Sequence, residues 1–231
     1  MRNAVAIGFA SLILAAAPAS GDVFELVSKV NEADTRRESD VTSVVTKRRY
    51  TLHNKRWERD PMMEVKVIGT PGRIKEFEVI RMENADGMPK RVFLKLLEAE
   101  IEAGRRSAQN DESAITSANY DFSPLGSEVV HGRDCMILQL KPKRASKYVI
   151  DGKVWIDPVE RAIVRVEGRT AKSVSFWIGK PWLTQDFRKV HEMWVSSSNQ
   201  SVSDVKLLGR TELRIEYLDY QVDRVRQLAN R

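Results

Sequence analysis

A single cysteine, Cys135, occurs in the 231 residues. Neither a disulfide framework nor a cysteine metal cluster can be built from it, so stability rests on a packed core. Set between Asp134 and Met136 in a strand pattern, Cys135 reads as a buried, inert thiol. Histidine is scarce as well: His53, His131 and His191 lie far apart, each beside turn-like residues. His191-Glu192-Met193-Trp194 begins like a zinc-protease motif but lacks the second histidine four residues after the first. No G-x-S-x-G, P-loop or Rossmann fingerprint occurs. These absences leave neither an activated nucleophile nor a metal set in local context. The expectation is a non-enzymatic protein with no cofactor and no metal.

Long apolar runs are missing too, with one exception at the N-terminus. Arg2 precedes an uncharged apolar run, Ala4 to Ala17, and Ala17-Pro18-Ala19 is a small-x-small cleavage site. That pattern is a secretory signal peptide over residues 1–19. The run is short of the ~20 residues that span a bilayer; an uncleaved anchor helix is the alternative. No cysteine near the cleavage site can accept a lipid. The mature chain, residues 20–231, is expected to be an exported, soluble protein. It is long enough to bury roughly 70% of its unfolded surface. Without a repeat, a low-complexity segment or a long linker, it reads as one domain.

The third absence is a charge block. Loss of Arg2 leaves 37 Lys+Arg against 32 Asp+Glu, a net charge of about +5, and the pI is near 9.4. Both signs alternate along the chain, which excludes a nucleic-acid tract. The pI favours contact with anionic surfaces such as phospholipid headgroups, but with alternating signs simple solubility is the stronger reading.

What is present is amphipathic patterning. Val23, Leu26, Val27 and Val30 recur at helical spacing behind Asp22, which is placed to cap a helix ending near Asp34. After the strand-like Val41–His53, Met63, Val65 and Val67 lead through the turn Thr70-Pro71-Gly72-Arg73 to a return strand, Ile74 to Met82. Over Lys90 to Ala108 the period lengthens. Val92, Leu96, Ala99 and Ala103 share a helical face, with Phe93, Leu97 and Glu100 beside it. A polar connector follows, and from Tyr120 onward the pattern is almost all strand. The runs are 120–122, 128–130, 135–141, 147–156, 162–169, 173–178, 187–190, 193–198, 202–208 and 211–222, separated by tight turns. Such a meander is antiparallel, and about ten or eleven strands in one open sheet tend to curl.

Asp157 and Glu160 sit three residues apart and raise the question of an acid/base pair. Asp157-Pro158-Val159-Glu160 has turn chemistry. A hairpin closed there pairs Ile156 with Ala162 and Val154 with Val164, and leaves both carboxylates at an exposed tip with ordinary acidity. They read as a corner. The apolar face beside them carries Val154, Ile156, Val164 and Val166, and it continues through Leu138, Leu140, Val174, Phe176, Ile178, Val205, Leu207, Leu213, Ile215 and Tyr217. An α+β fold follows: a strongly curved antiparallel sheet with amphipathic helices plugging its concave face. Either the helices fill that hollow, or it keeps room for a ligand. Trp177, Lys180 and Trp182 belong to a loop that either touches a membrane interface or packs over the sheet end.

The stretches GSEVVHGRDCMILQLKP, GKVWIDPVERAIVRVEG and LGRTELRIEYLDY, within Tyr120–Val222, resemble the LolA-like family of outer-membrane lipoprotein-sorting proteins. The resemblance covers a little under half of the chain; the helix at 23–33 and the hairpin plus helix at 62–108 agree in order. It implies an incomplete, strongly curved antiparallel β-barrel, apolar inside and closed by amphipathic helices over its concave face, that holds lipoprotein acyl chains or related lipids in the periplasm without chemistry. It also implies envelope proteins as donors and acceptors. A related use of the fold is the sensor half of periplasmic regulators of envelope-stress sigma factors. Joined to the residue patterns, the leading expectation is a carrier or chaperone for lipoprotein acyl chains or phospholipid, with transient membrane contact. Its ligand face would be Leu138, Leu140, Val154, Ile156, Val164, Val166, Val174, Phe176, Leu213, Ile215 and Tyr217. Val92, Leu96 and Ala99 would lie on a lid helix. The rival expectation is a protein-interaction or stress-sensing module that uses the sheet only as scaffold.

Overall fold

The computed structural model describes residues 20–107, 112–175, 178–206 and 208–225. The expected signal peptide, Phe176, Trp177 and Leu207 lie outside the described residues. Among the described residues two helices and ten strands follow in the order α1 (Ser20–Glu38), β1 (Val41–His53), β2 (Met62–Thr70), β3 (Arg73–Glu83), α2 (Met88–Ser107), β4 (Tyr120–Val130), β5 (Arg133–Pro142), β6 (Ile150–Asp157), β7 (Ala162–Thr170), β8 (Trp182–Val190), β9 (Met193–Val205) and β10 (Gly209–Arg224). All ten strands form one antiparallel sheet, ordered β3-β2-β1-β10-β9-β8-β7-β6-β5-β4, whose outer strands β3 and β4 do not pair. The result is an incomplete, curved β-barrel with two helices on its concave side.

Tight turns explain the meander. At the β4–β5 turn His131 and Gly132 have φ of 51° and 76°, the paired left-handed values that match the twist of a two-residue hairpin. The runs at 120–122 and 128–130 join into β4, and those at 193–198 and 202–208 join into β9. Of the expected run 173–178, the described residues form no named strand, and Ile178 makes an isolated bridge to Val205.

Helix α1 runs one turn beyond Asp34 because its end has a socket. Arg37 donates to the main-chain carbonyls of Arg161, at 3.1 Å, and of Glu160. Arg36 and Arg37 also oppose the partial negative charge at the helix C-terminus. Asp22 lies within the first turn instead of capping it.

The β6–β7 hairpin differs from the expected register. Val154 pairs with Val166, Trp155 with Arg165 and Ile156 with Ile163, which leaves Val164 unopposed. This bulge turns Val164 to the convex face, into a buried group with Val130, Cys135 and Trp155. Val164 therefore leaves the concave set. Asp157 also departs from expectation, being buried and only 5% exposed. It accepts hydrogen bonds from the N–H groups of Val159 and Glu160, each at 2.9 Å, and pairs with Arg133 at 2.9 Å. Burial works to raise its pKa, but these donors outweigh it and hold the group below the ordinary value. A carboxylate held ionised in this way is a corner post for the turn, not a general acid.

Two apolar cores occupy the concave side. Under α1, Val23, Val27 and Val30 meet Leu138, Leu140, Val154, Ile156 and Val166. Under α2, Phe93 and Leu97 meet Tyr50, Met63, Val65, Val67 and Ile215. Each fully buried aliphatic side chain contributes roughly 1.5–3 kcal/mol.

Candidate functional site

The strip of sheet between the two helices is the candidate site, and the cross-strand rows show why it stays open. One row reads Val154, Val166, Gln185, Asn199, Ile215, Tyr50, Met63 from β6 round to β2. A second reads Leu140, Gly152, Gly168, Leu183, Ser201, Leu213, Leu52. In both, bulky apolar residues stand at the flanks; the centre is polar in the first row, and in the second it is small apart from Leu183. The apolar face expected to run across many strands is thus interrupted at Gln185 of β8 and at Asn199 and Ser201 of β9. Ser201 is too short to reach across the gap, and the amides of Gln185 and Asn199 keep a polar patch on its floor.

Above this floor lies a cavity of about 420 Å³. Its α2 wall is Met88, Val92 and Leu96, with Leu52, Trp57, Leu213 and Ile215 below. Its far wall is Ile150, Val174, Ile178, Pro181 and Leu183. The size and the largely apolar lining suit a small hydrophobic ligand.

A polar tie closes the inner end. Arg48, reaching from β1, pairs with Glu100 of α2 at 2.7 Å and lies over the Tyr217 ring, 4.8 Å from its centroid. The Tyr50 hydroxyl donates to the same carboxylate at 2.9 Å. Burial, then the Glu100 charge, push the Tyr50 phenol well above its ordinary value, so it stays protonated and donates. Burial opposes the charge on Arg48, but Tyr217, Glu100 and Tyr50 together raise its pKa, so it stays a cation. Beyond this tie a second hollow of about 430 Å³ is lined by Thr46, Arg48, Glu100, Phe187, Tyr217 and Tyr220.

The expected site residues divide among these environments. Leu213, Ile215, Val92, Leu96 and Val174 line the first cavity, and Tyr217 lines the second. Val174 does so from a loop and is 37% exposed. Leu138, Leu140, Val154, Ile156 and Val166 are sealed beneath α1 and line neither hollow. Ala99 is exposed, because the inward face of α2 is centred on Phe93 and Leu97. Trp57, Met88, Asn199 and Ser201 belong to the cavity without having been expected there. The serine-rich run of β9, Ser196-Ser197-Ser198-Asn199-Gln200-Ser201, was the available signal, since such residues cannot fill a core.

No family model matches the chain, and no curated protein matches it. Among solved structures the chain is similar to an outer-membrane lipoprotein-sorting protein domain from Vibrio parahaemolyticus, at 14% identity and a TM-score of 0.45, over 89% of this chain and 93% of that one. It is also similar to a DUF1329 family protein from Desulfovibrio piger, at 11% identity and a TM-score of 0.46, over 88% and 93%. A LolA superfamily protein from Nitrosomonas europaea matches at 12% identity and a TM-score of 0.41, over 86% and 92%. At these levels the likeness is one of fold, and no ligand or partner is carried across from it.

Proposed function

We propose that this protein is a non-enzymatic carrier, placed in the periplasm by its N-terminal segment, that holds acyl chains of lipoproteins or lipids in the cavity between α2 and the sheet. One observation carries the reading: the concave face leaves about 420 Å³ lined by apolar side chains under a helix. Burial of an acyl chain there contributes ~0.8 kcal/mol per methylene, so chain length dominates affinity. The polar floor of Gln185 and Asn199 adds a place for an ester or amide group. Helix α2 is the lid, because Val92 and Leu96 present partly buried side chains to the cavity while Phe93 and Leu97 anchor the helix.

Displacement of an environment-sensitive acyl fluorophore by a free fatty acid tests this, with organic extraction and mass spectrometry of the purified protein alongside. Ser201→Trp fills the floor without adding charge and is expected to weaken binding at least tenfold. Co-purified lipid together with that loss supports the carrier. Absence of displacement, or an unchanged Ser201→Trp affinity in a protein that unfolds normally, overturns it and leaves the interaction module standing.

A further inference from the structure

The cavity opens at the end of the barrel where the β5–β6 connection, residues 143–149, and the described residues of the β7–β8 connection, 171–175 and 178–181, lie. Lys143, Arg144, Lys147, Lys172 and Lys180 occur in these two connections, with no carboxylate in either. All five are exposed. The hairpin turns at the opposite end, 131–132, 158–161 and 191–192, carry one lysine or arginine, Arg161, against Glu160 and Glu192. Positive charge is therefore gathered at the mouth.

The two connections form one rim. The N–H of Lys172 donates to the Ser146 carbonyl at 3.1 Å, and that of Ala171 to the Val149 carbonyl at 3.0 Å. On its inner side the rim gives Lys147, Val174, Ile178 and Pro181 to the acyl cavity. On its outer side it closes a groove of about 410 Å³, where Lys141, Arg169, Lys180 and Trp182 meet. Asp151 is committed to Lys141 at 2.7 Å, so the charges of Arg169 and Lys180 remain for a ligand. Arg169 lies 5.8 Å from the Trp182 ring centroid. Among the described residues Arg144, Lys172 and Lys180 form no ion pair, while Lys143 has Asp121 at 3.6 Å.

We infer that this rim docks on an anionic phospholipid surface, with a headgroup phosphate in the groove beside Arg169 and Lys180. The inference rests on the carrier reading, since it supplies the surface from which an acyl chain enters the cavity. Aromatic and aliphatic side chains interleave the cations: Tyr148 is 36% exposed, Val174 37% and Trp182 42%. Tryptophan and tyrosine settle at headgroup depth, and lysine and arginine are drawn to an anionic leaflet. An acidic folded protein would match the charge but has no use for exposed aromatics beside an acyl cavity. A rim with apolar space inside and cationic space outside divides a phospholipid along its own chemistry, chain from phosphate.

The test is co-sedimentation of the full chain with vesicles of phosphatidylcholine alone and of equal parts phosphatidylcholine and phosphatidylglycerol. Binding is expected only to the anionic vesicles, with loss in molar salt. The variant Arg144→Glu/Lys172→Glu/Lys180→Glu is expected to lose at least tenfold, and Lys66→Glu/Lys75→Glu/Lys95→Glu, with the same charge change elsewhere, much less. Equal loss in both variants, equal binding to neutral vesicles, or binding to polyglutamate in place of anionic vesicles overturns the inference. Complete competition by millimolar inorganic phosphate also overturns it, by showing a soluble-anion site. Fluorophore displacement in the rim variant separates the two readings. If displacement persists while vesicle binding falls as expected, both stand; if the wild type binds anionic vesicles but no fluorophore, only the carrier reading falls.

Discussion

The two halves of the sheet are covered in different ways. Helix α1 touches β4, β7 and β9 and buries Val23, Val27 and Val30 to 2% exposure or less. Helix α2 packs chiefly on β3; it buries Phe93 and Leu97 completely, yet leaves Val92 and Leu96 facing open space. One helix completes a core and the other roofs a cavity. The same amphipathic pattern serves both, because what decides is the floor beneath: valine and leucine under α1, serine and amide side chains at the edge of α2.

The largest effect should come from the sealed half. Leu138→Ala is expected to cost about 2–5 kcal/mol by denaturant unfolding, since Leu138 is fully buried under α1. Leu213→Ala removes the same atoms from the cavity wall and is expected to cost about 1 kcal/mol. Equal costs would show that the cavity is closed in solution.

A second comparison concerns the ties of the two helices. Glu100→Gln weakens the bonds from Arg48 and Tyr50 and is expected to cost about 1 kcal/mol. Hydrogen exchange should then quicken in α2 and stay unchanged in α1, whose end is held by Arg37 on main-chain carbonyls. Faster exchange throughout the protein would show that α2 is not an independent lid.

A third comparison, of similar size, lies on the convex face of the α2 half. Glu64 is buried there and bonded by Arg81 and Arg49, with Lys47 at 3.3 Å. Arg81 first, then Arg49, and more weakly Lys47, lower its pKa from 4.5 to about 2 against the effect of burial. A pKa lower in the folded protein means that the stabilisation is full above the ordinary value and fades as pH falls through this window. Glu64→Gln is expected to remove about 1 kcal/mol at neutral pH and to flatten the acid limb of the stability curve between those two values. An unchanged acid limb would remove Glu64 from the account.

Much of the fold was legible because its signals are local. The spacing of Val23, Val27 and Val30 and the alternation of Met63, Val65 and Val67 report burial directly. His131-Gly132 and Asp157-Pro158 carry their own turn chemistry. The bulge at Val164 was not legible, since the slip of one residue between β6 and β7 answers to the barrel's bend and not to either strand. Asp157 misled for a similar reason: the turn chemistry was right, but its burial depends on Arg133 from a neighbouring strand.

The candidate site was legible at its walls and not at its floor. Leu213, Ile215, Val92 and Leu96 announce themselves by period. Which apolar residues face a ligand and which face a helix depends on where α1 lies, a matter of packing between segments more than a hundred residues apart. By itself the sequence determined most of the strands, the two amphipathic helices and the lack of a second cysteine for any cysteine-built site, since each follows from side-chain chemistry and short-range periodicity. Only the tertiary structure decided that α1 seals its half while α2 spans a gap, because a void is a property of what several elements together fail to fill.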